Sequence, residues 1–200
     1  MSLPLILAST SPYRRELLGR LRLPFSVCSP EVDERRLPGE APAALVKRLA
    51  EAKARAGAAH CGAGLIIGSD QVAVVDDEVL GKPGDFERAC AQLARLSGRR
   101  VSFLTGLCLY NSVSERLQLD VVPYTVVFRN LSRAQIEDYV RREAPYNCAG
   151  SFKSEGLGIA LFAAQEGNDP TALVGLPLIR LVSMLDAESI RVLGAPETTA

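Results

Sequence analysis

The sequence predicts an α/β fold, a single chain of alternating strands and helices, and three observations carry that prediction. At the start, a short apolar run (Leu3–Ala8), a hydroxyl-rich break (Ser9-Thr10-Ser11) and a leucine-striped segment (Arg14–Leu21) follow one another. In the middle, a β-branched stretch, Leu65–Val75, lies between two segments with helical spacing. Further on, the two longest β-like runs, Val101–Tyr110 and Leu117–Phe128, are joined by a polar link, as in an antiparallel pair.

The bulk numbers agree with this reading. The chain has 200 residues, 48% of them hydrophobic, enough for a substantial core. No repeat and no long linker divides it, so residues 1–194 are expected to form one domain and 195–200 a frayed tail. Lys plus Arg (23) balances Asp plus Glu (23), which argues against a nucleic-acid partner. The single His excludes a site built on several His ligands, so any metal must sit on oxygens, which favours Mg²⁺ or Mn²⁺. Five cysteines without a C-x-x-C pair read as small buried hydrophobes in a reducing compartment. No apolar run approaches the roughly 20 residues of a membrane span. The N-terminus is wrong for a signal peptide, and the expected location is the cytoplasm.

In chain order, Ser11 before Pro12 forms an N-cap with proline at the first helical position. Strand, hydroxyl-rich loop and helix start together present N–H groups and hydroxyls to an anion. Arg14 and Arg15 then stand in the first turn, where the helix dipole disfavours cations. A phosphate in front of them explains that placement; two solvated arginines are the ordinary alternative. Phe25–Cys28 reads as a second strand, followed by the acids Glu31, Asp33 and Glu34, either a solvated loop or the source of one metal ligand. Pro42–Ala59 is helical, with Leu45, Leu49, Ala52 and Ala56 as the expected buried stripe and Lys53 on the surface.

The stretch Leu65–Pro83 is the most informative. It is apolar, breaks at Gly68-Ser69-Asp70 and resumes at Val72. An ionised carboxylate inside a buried strand is costly unless compensated. Asp70 is therefore either the cap of a turn or paired with a cation, and Lys82 on the stiff Gly81-Lys82-Pro83 turn favours the second. Beyond it, Asp85 caps a helix over Phe86–Leu96, and Ser132 with Gln135 forms a capping box for a helix that turns Ile136, Tyr139 and Val140 inward. Gly150–Gly158 is a glycine-rich loop holding Lys153 and Glu155, an ordinary loop unless a ligand approaches it. Gly158–Phe162 reads as a strand, Asp169-Pro170 as the start of a short helical turn, and Leu178–Leu185 as a core helix with Leu178, Leu181, Val182 and Leu185 inward.

Taken as an ordered set, LILASTSPYRRELL, PEVDE, RLAEAKA, IIGSDQV, GKP, LSGR, TGL and GLPL resemble the Maf family of nucleoside triphosphate pyrophosphatases. FRNLS, CAGSFKSEG and the Gln after GSD resemble its subgroup acting on 7-methyl-GTP, with Tyr13 where that subgroup has Trp. The resemblance implies a long twisted mixed sheet flanked by helices, two lobes with a central cleft, and a homodimer. It implies a divalent cation, Mg²⁺ or Mn²⁺, and hydrolysis between the α- and β-phosphates of a small-molecule nucleoside triphosphate. By the same resemblance Asp70 matches the proton acceptor and, with Glu34, the metal site. Ser9, Arg14, Lys53 and Lys82 match cleft positions facing phosphates, and Tyr13, Gln71 and Glu155 match positions that tune base choice; Lys153 of the glycine-rich loop joins the substrate-binding set. Three alternatives stand beside this reading: a pyrophosphatase for another nucleotide, a regulator of cell division that senses a nucleotide without turnover, and a cysteine hydrolase built on Cys148.

Overall fold

Strands β1 (Leu5–Ala8), β2 (Phe25–Cys28) and β3 (Leu65–Val75) are joined through helices α1 (Pro12–Gly19) and α2 (Pro42–Cys61), so β1 pairs in parallel with both β2 and β3. This computed structural model describes residues 3–194; the tail expected over 195–200 lies outside the described residues. After β3 the chain turns back antiparallel: β4 (Glu78–Leu80) and β5 (Arg100–Asn111) pair with β3, β6 (Arg116–Phe128) with β5, and β7 (Phe162–Glu166) with β6. The result is a seven-stranded mixed sheet in the order β2-β1-β3-β5-β6-β7, with β4 beside β3. Helices α3 (Phe86–Leu96), α4 (Arg133–Glu143) and α5 (Leu178–Asp186) complete the α/β architecture. The five cysteines are free, and no helix among the described residues is long and apolar enough to cross a membrane.

Alternation along β3 divides the core. Leu65 and Ile67 pack with Leu17 and Leu18 of α1 and Leu181 and Leu185 of α5, whereas Ile66 packs with Ala50 and Ala54 of α2 on the other face. Beyond Val72 a separate apolar body gathers α3, α4 and the edge-to-face aromatic group Phe103, Phe128, Phe152 and Phe162. Two lobes thus share the strands β3, β5 and β6. On one edge of β3 they do not meet. The β1 ladder ends at Ala8–Gly68 and the β4 ladder begins at Leu80–Ala73. Ser69, Asp70, Gln71 and Val72 face that gap, and a cavity opens there.

Four expectations are corrected. β3 is continuous through Gly68-Ser69-Asp70, with no turn. Gly68 and, on β5 opposite Asp70, Gly106 carry no side chain because α2 lies against the sheet: a Cβ at Gly68 would stand 2.1 Å from the Ala50 carbonyl oxygen, and one at Gly106 2.2 Å from that of Val46. That closeness also rotates the α2 stripe. Val46, Ala50, Lys53, Ala54 and Gly57 are buried alongside Leu45 and Leu49, while Ala52 and Ala56 are half-buried. Lys53 is therefore a core residue rather than a surface one, 6% exposed. Next, Leu157–Leu161 is a 3₁₀ segment and the strand begins only at Phe162; the Gly158 N–H bonds the Lys153 carbonyl at 3.1 Å, folding the backbone back on itself. Finally, Met184 takes the buried place expected for Val182. The caps at Ser11, Asp85, Ser132 and Asp169 form as the sequence predicts.

The Gly68→Ala substitution tests the contact between α2 and the sheet. A methyl group 2.1 Å from a backbone oxygen forces the helix outward, and overpacking of this kind costs about 1–3 kcal/mol. The expected result is a lower urea midpoint; an unchanged midpoint would show that the helix can withdraw freely.

Candidate active site

The cavity at the gap has a volume of about 950 Å³, within the size of small-molecule sites. Its centre is an ion triad. Lys53 Nζ lies 2.6 Å from Asp70 Oδ1 and 2.6 Å from Glu34 Oε1. Even positions on β3 face α2, so Asp70 points to the helix that carries Lys53. Asp70 is 9% exposed and would be costly there without its ammonium partner. Its second oxygen, Oδ2, has no partner among the described residues. Every fully buried side-chain polar atom among them has one, so Oδ2 opens to the cavity. The bond to Lys53 holds the Glu34 carboxyl below its ordinary range.

The other phosphate-facing candidates stand around this triad. Arg14 donates from Nε to the Gly175 carbonyl at 2.8 Å, and its Nη1 lies 3.5 Å from Ser9 Oγ. By the same reasoning as for Asp70, its Nη2, which has no partner among the described residues, faces the cavity. Desolvation lowers the Arg14 pKa, opposed by the nearby Asp70 and Glu34 charges. Ser9 Oγ accepts from the Ser11 N–H at 3.1 Å, leaving its own proton for a ligand. Lys82 is exposed on the cavity wall, near enough to Glu34 to help lower its pKa.

Tyr13, Gln71 and Glu155 also line the cavity. The Tyr13 phenol is raised by burial and by the neighbouring Cys148, so the ring is neutral near pH 7. Gln71 Nε2 lies 2.6 Å from the Ala172 carbonyl, 3.0 Å from Thr105 Oγ1 and 3.1 Å from the Leu173 carbonyl.

Lys153 is not brought into this set. Its Nζ donates to the Glu143 carbonyl at 2.7 Å, closing the end of α4, and the residue does not line the cavity. Arg15 also turns away, toward a shallow groove beside β2. Of the three loop acids, only Glu34 lines the cavity; Asp33 is tied to Arg35, which holds it down at about 2. Sequence reasoning missed Arg36, Phe103 and Phe152 on the wall, and the carbonyls of the 3₁₀ segment Pro170–Val174 beneath it. Backbone carbonyls leave no residue-type signal. Cys148 lines the cavity, but burial raises its thiol pKa, and His60, exposed and set on its own helix, is not on that wall.

Among the described residues no three His, Cys, Asp or Glu side chains gather as a metal cluster. The two carboxylates that share Lys53 fit a different arrangement. Mg²⁺ is usually held by one or two carboxylates, with substrate phosphates and waters filling its remaining positions. Glu34 and Asp70 form such an oxygen pair, and Asp70 Oδ2 is open.

Comparison with known proteins agrees with the geometry. Residues 4–188 match the family model described as Maf-like protein. The chain is 60% identical over 190 residues to a protein of Pseudomonas putida, covering 95% of this chain and 99% of that one. It is 57% identical over 190 residues to a protein of Methylobacillus flagellatus, covering 95% and 99%. It is 57% identical over 188 residues to one of Pseudomonas aeruginosa, covering 94% and 98%. All three relatives carry the name 7-methyl-GTP pyrophosphatase.

The Glu34–Lys53 bond makes a pH prediction. A carboxyl lowered in the folded state adds stability above its unfolded value, here 4.5, and loses it as pH falls through the folded one. The melting temperature of the protein should therefore exceed that of Glu34→Gln near pH 6, and the difference should shrink below pH 4.5. A difference that stays constant across that range would mean the bond adds no folded-state stability.

Proposed function

The chain belongs to the Maf-like protein family, and from that premise we propose that it hydrolyses 7-methyl-GTP between the α- and β-phosphates, giving the monophosphate and pyrophosphate. The observation that carries this reading is the open carboxylate oxygen of Asp70 beside Lys53 and Glu34, in a cavity that also holds Arg14, Ser9 and Lys82. The names of the relatives supply the base.

In this mechanism Asp70 Oδ2 takes a proton from water as the water oxygen bonds to the α-phosphorus and the bond to the bridging oxygen breaks. Lys53 keeps the carboxylate in position by its 2.6 Å contact. A triphosphate carries about four negative charges near neutral pH, which cationic and N–H or O–H donors must offset. The Nη2 of Arg14, the Ser9 hydroxyl and Lys82 supply those donors, and they hold the leaving pyrophosphate. Glu34 and Asp70 would hold a divalent cation, Mg²⁺ or Mn²⁺, which when bound acidifies water and neutralises phosphate charge. A 7-methylguanine ring is positively charged, so the Tyr13 face and the Glu155 carboxylate favour it over guanine. The homodimer and the cytoplasmic setting belong to the same reading; the first rests on the family resemblance and the second on the N-terminus and the cysteine usage.

A panel of triphosphates with Mg²⁺, run with and without EDTA, tests the activity. Monophosphate plus pyrophosphate is expected, 7-methyl-GTP foremost, and chelation should abolish turnover. Tight nucleotide binding without product would instead favour a sensor. Asp70→Asn should lower kcat by about 10²-fold or more in a protein that still folds, Lys53 keeping its Glu34 partner; full turnover by this variant would remove Asp70 from the mechanism. Glu155→Ala should bring the kcat/KM values for 7-methyl-GTP and GTP closer together. An unchanged ratio would exclude Glu155 as a selector.

A further inference from the structure

Arg35 and Arg36 are neighbours in a charged loop, and the structure gives them different surroundings. Arg35 closes on Asp33, its Nε 2.9 Å from Oδ1 and its Nη2 2.6 Å from Oδ2. Arg36 instead lines the cavity. Its Nε donates to the Glu40 carbonyl at 2.8 Å, while its Nη1 and Nη2 have no partner among the described residues. The anchor of Arg36 is itself fixed. The Glu40 side chain, 8% exposed, accepts from Arg48 of α2 twice, from Nε at 2.6 Å and from Nη2 at 2.9 Å. Glu40 Oε2 also accepts from the Leu37 N–H at 3.1 Å, and Arg48 Nη2 donates to the Arg35 carbonyl at 3.0 Å. The loop is thus clamped to α2 on both sides of Arg36. Part of the freedom of that side chain is lost before any ligand arrives, and its planar fork keeps two donor nitrogens side by side for an oxyanion.

We propose that Arg36 is a phosphate-binding residue that grips the terminal phosphate of a nucleoside triphosphate and stays with it in the leaving pyrophosphate. It rests on the reading of the cavity as a nucleotide pyrophosphatase site, and it adds a cation outside the set that the family resemblance supplies. Charge and position both support it. Arg14, Lys53 and Lys82 exceed Glu34 and Asp70 by one positive charge, and a divalent cation would raise the excess to three. A triphosphate carries about four negative charges near neutral pH, and Arg36 supplies the remaining match. Its loop lies against α2, on the face of β3 that Asp70 takes, whereas Gln71 faces the opposite side. Arg36 is also exposed where Lys53 and Asp70 are buried, so it stands toward the mouth of the cavity. The end of the phosphate chain reaches it there, while the reacting phosphorus stays beside Asp70.

Two probes read this contact without turnover. Inorganic pyrophosphate contains the terminal phosphate, and the nucleoside monophosphate does not. Each is titrated by calorimetry into the full-length protein with Mg²⁺. Arg36→Gln leaves the Glu40–Arg48 clamp whole and removes only an exposed guanidinium, so the variant folds. It should weaken pyrophosphate binding about tenfold, the low end for a charge-assisted bond because the residue is exposed, and leave monophosphate binding unchanged. The kcat/KM for the triphosphate should fall by about the same factor. Arg35→Gln removes the same charge one residue away and controls for long-range attraction; it should leave pyrophosphate binding unchanged. Unchanged pyrophosphate binding in Arg36→Gln, an equal loss for both probes, or an equal loss in Arg35→Gln overturns the proposal. Absence of pyrophosphate release by the unmodified protein from any triphosphate overturns the functional reading instead, so the two failures are distinct.

Discussion

The contact of Lys53 with Asp70 is the constraint on which the site depends. A carboxylate that is 9% exposed in the middle of a long strand is tolerated only with a matched cation at hydrogen-bond distance. The cation can reach it only because α2 lies directly on the sheet, and α2 can lie there only because Gly68 and Gly106 offer bare backbone. Glycine is usually a liability in a strand. Here two of them, on adjacent strands, turn a helix surface position into a core position and put an ammonium where the chemistry needs it. The same ammonium draws Glu34 inward from an otherwise exposed loop. One side chain thus collects acids from two distant parts of the chain.

The location of the cavity follows from the topology. Parallel pairing brings β1 alongside β3 from one lobe, and antiparallel pairing brings β4 alongside it from the other. The two partners stop short of one another, so β3 runs uncovered on that edge for the length of four residues. Successive side chains on a strand point to opposite faces, which is why Asp70 can face α2 while Gln71 faces the 3₁₀ segment, both within one cavity. A gap in a sheet edge gives access to both faces at once, which an ordinary pocket on one face cannot.

Much of the fold was legible in the sequence because it is written in local chemistry. Caps at Ser11, Asp85, Ser132 and Asp169 bracket their elements, and the polar link after Tyr110 joins an antiparallel pair. What misled was chemistry that depends on tertiary partners. Gly68-Ser69-Asp70 looks like a break in the strand until the helix above it is known. Lys53 looks solvated until its two acids are in place, and Lys153 looks like a ligand-binding cation until its bond to the Glu143 carbonyl is seen. The membership of Ser9, Arg14, Asp70 and Lys82 in one site was legible only from the family resemblance, since no spacing rule links positions so far apart. The carbonyls that orient Gln71 and Arg14 were not legible at all.

Those carbonyls all belong to one short segment. Ala172 and Leu173 hold Gln71, and Gly175 holds Arg14 and receives the Ser69 hydroxyl at 2.8 Å. The buried Asp169 fastens the segment by accepting from Thr171 and from the backbone N–H of Ile179 at 2.8 Å. Gln71 and Arg14, on different elements, are therefore set against a single ruler. Their polar ends cannot drift independently, because one stretch of backbone anchors both.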